Sequence, residues 1–170
     1  MGPSPNEPAS ALTIRPLADA AEAEACARLM ADMDPWRTLG RDHAACLRLL
    51  RDPHAEVYVA EDDAGLAGGL VLSLVGALSG YVRTILVAPG RQGRGYGTRL
   101  MEFAERRIFR VSPNAFLCVS SFNPDARRLY ERLGYEYVGE LRDYLVRGHA
   151  ELLYRKSLGP WNEFVPPAGD

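Results

Sequence analysis

Only three cysteines, Cys26, Cys46 and Cys118, occur among 170 residues, and no two stand at a spacing that suits a metal-binding pair. Neither a disulfide framework nor a metal site is expected. Two of the thiols fall on helical apolar stripes and one in a strand, where buried, unreactive thiols in a reducing cytoplasm are expected. Long apolar runs are missing too. The mainly apolar stretch 65–78 is interrupted by glycines and falls short of the roughly 20 residues that a membrane-crossing helix needs. The first ten residues, MGPSPNEPAS, have no basic start and no apolar centre, so 1–10 read as a disordered lead and not as a signal peptide. Gly2 invites thought of myristoylation, but no second membrane signal accompanies it. Excess charge is absent: 20 basic against 22 acidic residues leave a net charge of -2. That balance argues against a nonspecific nucleic-acid binder, though a local basic pocket is compatible with it.

What remains is one domain, 11–158, followed by a tail, 159–170, in which Trp161 and Phe164 are available to pack on the body or on a partner subunit. A short strand is expected at 11–17. Asp19 is placed to cap a helix over 20–33, which Asp34-Pro35 stops, and a second helix follows over 41–50. Alternation at 56–61, a turn at 61–65 and an apolar return over 66–78 predict a meander that continues into Tyr81–Val87. A helix is expected over 95–109, with Leu100, Met101, Ala104 and Ile108 on one stripe. The unbroken apolar run 115–120 suits a strand covered on both faces. Asn123, Pro124 and Gly134 mark the start and end of a short helix. Strands over 136–146 and Ala150–Ser157 complete the order β-α-α-β-β-β-α-β-α-β-β, an α/β domain with a mixed sheet. A two-halved dinucleotide fold would need more βαβ units.

The most telling segment is 86–108, LVAPGRQGRGYGTRLMEFAERRI. A strand that feeds a glycine-rich turn and then a helix start presents several free N–H groups to one anion. Arg91, Arg94 and Arg99 add positive charge. A purely structural turn would also use glycines. No Lys-Ser or Lys-Thr step follows the last glycine, so a nucleotide-hydrolysing P-loop is disfavoured.

These residues resemble the GCN5-related N-acetyltransferases (GNAT). The turn Gln92-Gly93-Arg94-Gly95-Tyr96-Gly97 matches that family's pyrophosphate turn. Val119-Ser120-Ser121-Phe122-Asn123, with Ala126 and Leu129-Tyr130 and then LGYEYVGE, matches its second signature. The resemblance covers about 12–158. It implies a single-domain GNAT-like fold whose mixed, mostly antiparallel sheet splays between the strands ending at Val87 and Ser120. It implies acetyl-CoA as acyl donor, with its pyrophosphate on the backbone of Gln92, Gly93, Arg94, Gly95, Tyr96 and Gly97. Its pantetheine arm would lie along the backbone of Ile85 and Val87 like an added strand. Asn123 would touch that arm, cap its helix, or do both. Tyr130 would be the catalytic acid that protonates the departing thiolate, or else a core tyrosine. Arg91 and Arg94 are either phosphate partners or solvated. A homodimer is a further implication of the resemblance.

The strand that leads to the turn, Tyr81–Val87, holds no carboxylate, although many relatives place a glutamate there. Asp34, Asp143 and His149 are the other candidates for a base, unless a water chain or an already neutral amine suffices. A covalent intermediate on Cys118 is not expected, since no histidine stands near it in sequence. Acceptor choice is expected to come from 30–41 and 142–151. Asp32, Asp34 and Trp36 would suit a cationic amine, whereas Arg83 would suit a carboxylate. A small amine or amino acid is the favoured acceptor, a protein N-terminal amine or lysine the alternative, and a non-catalytic CoA-binding module the reading from another class.

Overall fold

The computed structural model describes residues 11–168, so the lead 1–10 lies outside it. The chain runs β1 (Thr13–Pro16), α1 (Ala20–Ala31), α2 (His43–Leu50), β2 (Glu56–Asp62), β3 (Gly65–Ser73), β4 (Tyr81–Val87), α3 (Tyr96–Ile108), β5 (Asn114–Ser120), α4 (Pro124–Arg132), β6 (Glu136–Arg142) and β7 (Ala150–Ser157). A single 3-10 turn follows at Trp161–Glu163. The seven strands form one sheet in the order β1-β2-β3-β4-β5-β7-β6. Only β4 and β5 run parallel; every other neighbouring pair is antiparallel.

Strand periodicity explains the two layers that cover this sheet. Alternate side chains of a strand point to opposite faces. On β3, Leu70 and Leu72 pack with Leu100, Met101 and Ile108 of α3, while Val71 between them packs with Met30 of α1 and Cys46 of α2. The stripe Leu100, Met101, Ala104 and Ile108 is buried in full, as its spacing predicts. Caps fix the helix starts. Asp19 accepts from the N–H groups of Ala21 and Glu22, Asp42 accepts from that of Ala45, and Asn123 accepts from that of Ala126.

Some strand limits differ from the expectation. The strand expected over 66–78 ends at Ser73, because Gly76 and Gly80 take φ of 90° and 93°, outside the extended region. The strand expected to reach 146 ends at Arg142, where Asp143 turns left-handed at φ 51° and accepts a hydrogen bond from the Gly148 N–H at 2.6 Å. The tail folds back enough for Trp161 and Phe164 to meet edge to face, 5.8 Å between ring centres.

Two backbone details position the site. Gly68 lies so close to β4 that a Cβ there would stand 2.3 Å from the Leu86 carbonyl oxygen. Gly68→Ala should therefore lower stability by about 1–3 kcal/mol through overpacking, seen as an earlier urea midpoint with an unchanged slope. The second detail is a bulge. Val71 pairs with Thr84 but Leu72 pairs with Val82, which leaves Arg83 as an extra residue in β4. A bulge bends its strand and sharpens the local twist. The parallel pairing of β4 with β5 covers Tyr81↔Phe116 and Val82↔Leu117 and stops at this bulge. Beyond it the two strands separate.

Candidate active site

Two connected recesses occupy the opening between β4 and β5. The larger, a groove of about 640 Å³, runs past Val87, Gln92, Gly93 and Gly95 to Thr98. The smaller, about 280 Å³, is lined by Tyr81, Arg83, Cys118, Ser120, Tyr144 and Glu151. Ile85, Asn123 and Tyr130 border both, as do Pro35 and Trp36 from the loop between α1 and α2.

At the groove's far end lies the glycine turn. Gly93 and Gly95 take φ of 77° and 78°, a conformation that disfavours side chains, and neither would have a neighbour within 4 Å of an added Cβ. The turn therefore keeps its open side clear. Gly95 is the N-cap of α3 and gives no side-chain hydrogen bond, so the helix's first N–H groups are left for a ligand. The helix macrodipole favours an anion at this point. Gly97 is small for a different reason. A Cβ there would come 3.1 Å from Leu129 of α4, so the turn packs directly on the helix that carries Tyr130.

The arginines behave differently from one another. Arg91 reaches back to Asp62, Nε to Oδ2 at 2.8 Å, and Asp62 also accepts from the Tyr96 hydroxyl at 3.2 Å. That bond braces the turn from behind, and the Tyr96 side chain is buried in the same contact. Arg99 donates to the Leu12 carbonyl at 2.8 Å. Arg94 is exposed and lies outside the groove lining, alone among the residues singled out for the cofactor. The others, Ile85, Val87, Gln92, Gly93, Gly95, Tyr96, Gly97 and Asn123, share the groove with Tyr130.

Tyr130 sits where the recesses meet and is 4% exposed, its ring edge-on to Tyr135. Burial pushes its phenol well above the ordinary value, so it keeps its proton at neutral pH. Asn123 caps α4, and its own N–H donates to Ser120 at 2.8 Å. Burial likewise raises the Cys118 thiol, which shares a hydrogen bond with Tyr81. A thiol held protonated is a poor nucleophile.

The carboxylates named from the sequence are committed elsewhere. Asp34 accepts from Thr38 Oγ1 at 2.7 Å and from Arg37 at 2.8 Å, which holds its carboxyl below the usual range. Asp143 closes its own turn, and His149 stacks edge to face on Phe122. Arg83 is paired with Asp52. Asp34 lies on the wall of the larger groove, and the acidic group on the wall of the smaller recess is Glu151, which sequence reasoning missed. It is 5% exposed, and its Oε1 accepts from Ser120 Oγ at 2.6 Å. Burial raises its carboxyl, while the Ser120 bond and Arg41 pull it the other way. A visible signal was an acidic residue inside the otherwise apolar run AELLY; its register opposite Ser120 was not visible.

A family model described as "Acetyltransferase (GNAT) family" matches residues 16–135. The chain belongs to the GNAT acetyltransferases. Among GNAT relatives, N-alpha-acetyltransferase RimI of Mycobacterium tuberculosis (strain ATCC 25618 / H37Rv) is 34% identical over 147 residues, which cover 82% of this chain and 89% of that protein. The fold is shared with the ribosomal-protein-S18-alanine N-acetyltransferase from Escherichia coli, with a TM-score of 0.71 at 18% identity over 91% of this chain and 99% of that one. It is shared equally with an aminoglycoside 6'-N-acetyltransferase complexed with coenzyme A, with a TM-score of 0.71 at 16% identity over 87% and 98% of the two chains. This GNAT chain is an N-acetyltransferase, and the cofactor of its family is acetyl-CoA. The left-handed Gly93 and Gly95, the uncapped start of α3 and the unpaired edge of β4 are a set of donors that fits such a cofactor.

Proposed function

We propose that this chain acetylates the α-amine of a peptide or protein N-terminus. The observation that carries the reading is Tyr130, which borders the donor groove and the acceptor pocket at once. The N–H groups of Gln92 to Thr98 would hold the pyrophosphate. The main chain of Ile85 and Val87, with the Asn123 side chain, would line up the pantetheine arm. Acetyl-CoA supplies an acyl carbon activated as a thioester. Tyr130 would deliver a proton to the departing sulfur, and the Val87 N–H would stabilise charge on the acyl oxygen. Most of the rate would come from alignment of the two reactants in one opening.

Two further facts favour a peptide. The turn 143–149 that borders the acceptor pocket exposes Tyr144 and Leu145, 62% and 41% accessible, an apolar rim for residues that follow the amine. The relationship to an N-alpha-acetyltransferase points the same way. The acceptor pocket's volume of about 280 Å³ favours a second reading, a small-molecule amine such as a polyamine.

Release of CoA thiol from acetyl-CoA decides between them, with free N-terminal peptides, N-blocked lysine peptides, spermidine and an aminoglycoside as acceptors. Free N-terminal peptides should exceed the others in kcat/KM by at least about tenfold. A polyamine or aminoglycoside at the head of the panel would establish the second reading. Binding itself has a simpler readout. CoA at about 100 times its Kd should add about 2.7 kcal/mol of stability and raise the melting temperature by roughly 5–10 °C. A melt unmoved by CoA would remove the groove assignment.

A further inference from the structure

We propose that Glu151 is the base of this enzyme: its carboxylate, held by Ser120, takes the protons that the acceptor amine must lose. The proposal deepens the acceptor reading above and rests on an amine as acceptor. Glu151 lies on the wall of the acceptor pocket that Tyr130 also borders. It stands at the end of the β5–β7 pairing, directly opposite Ser120, where both strands face the opening. The Ser120 hydroxyl fixes one carboxylate oxygen at 2.6 Å. The second oxygen has no hydrogen bond recorded among the described residues. An ordinary structural glutamate would be exposed or tied to a cation. Glu151 is 5% exposed and has no ion pair recorded among the described residues. Arg41 lies near enough to be felt, and Tyr81 of β4 and Cys118 of β5 feel the Glu151 charge in turn. The remaining charged or titratable groups around the pocket are Arg83, committed to Asp52, together with Tyr130 and Tyr144, and the neutral polar side chains are Thr84 and Asn123. None of these facing groups is a second carboxylate. β4 supplies none either, so Glu151 takes the role that its position allows.

The proton balance follows. An ammonium entering the pocket gives one proton to Glu151, which passes it to solvent. The neutral nitrogen then forms its bond to the acyl carbon as the C–S bond breaks, with that electron pair going to sulfur. Glu151 removes the second proton from nitrogen and passes it to solvent as it did the first, Tyr130 gives its proton to sulfur, and solvent carries one back to Tyr130. One proton is released per turnover. A carboxylate whose proton affinity is raised by burial accepts more readily from an ammonium than an exposed one does.

The test uses the full chain with saturating acetyl-CoA and two acceptors whose amine pKa values differ, each drawn from whichever class the acceptor panel ranks first. For the wild type, kcat/KM should rise with pH through two limbs. One follows the acceptor's own titration and shifts between the two acceptors. The other lies above the ordinary glutamate range and stays in place. Glu151→Gln should lose the fixed limb and about tenfold to a hundredfold in kcat/KM at neutral pH, with unchanged affinity for CoA, and Glu151→Asp should recover part of the loss. Carbon-13 spectra of the free wild-type protein, labelled at glutamate carboxyls, should show one carboxyl that titrates high. A profile that tracks only the acceptor, or a Glu151→Gln enzyme within about threefold of the wild type, overturns the proposal. If Glu151→Gln fails to fold, the wild-type profile and the carboxyl titration still decide it. A polyamine at the head of the panel overturns the peptide reading and leaves these readouts in force.

Discussion

Tyr130→Phe should lower kcat by about 10²–10³-fold, within the usual range for loss of a positioned acid, while the affinity for CoA changes by less than about threefold. The ring is what packs: it is 4% exposed, edge-on to Tyr135, in the core that joins α4 to the sheet. Phenylalanine keeps that ring and removes only the hydroxyl. The fold should therefore survive, and the loss should fall on the chemical step. Single-turnover measurement of CoA release at saturating substrates checks it. The Tyr130 role fails if that rate is unchanged in the variant. A donor series adds a second readout, because thioesters with a better leaving group should be less dependent on the acid.

Gly95→Trp should weaken CoA binding at least about a hundredfold, or about 2.7 kcal/mol, and Gly95→Ala is the control that separates the causes. Both variants force a side chain onto a residue at φ 78°, which costs about 1–2 kcal/mol. Neither meets an atom of the protein within 4 Å at its Cβ. The indole, however, must project into the space in front of the α3 N-terminus, whereas a methyl group leaves most of that space open. Calorimetric titration with CoA should show the alanine variant within about tenfold of the wild type and the tryptophan variant without measurable heat. Equal binding by all three would place the pyrophosphate elsewhere.

The parts of this molecule that were legible in the sequence are those written in local code. A cap, a proline and a trailing glycine lie within a dozen residues around α4, and each sits where that spacing puts it. The same holds for the apolar stripe of α3 and for the turn before it. The less legible parts depend on partners far apart in the chain. Arg91 is held by Asp62, 29 residues away, and Glu151 meets Ser120 across 31. No periodicity reports such pairings. The register that brings Ser120 opposite Glu151 is set by a whole strand of partners, and the acidic residue looks like a strand-end solubiliser until that register is known. Asp34 shows the converse. It stands in the segment expected to shape the acceptor entrance, yet Thr38 and Arg37, both within four residues, consume its hydrogen-bonding capacity.

The single extra residue in β4 has a wider consequence. Because the opening is a place where strands stop pairing, its donor side offers mainly main-chain groups, and those are the same whatever side chains β4 carries. Substitutions at Arg83 of β4, Cys118 of β5 or Glu151 of β7 would then alter the smaller recess without rewriting the main-chain groups proposed to hold the donor. A scaffold arranged in this way can exchange one amine for another by a few changes on one wall. Its capacity for new acceptors comes from an interruption in a sheet, and its constancy toward one donor comes from the backbone that the interruption exposes.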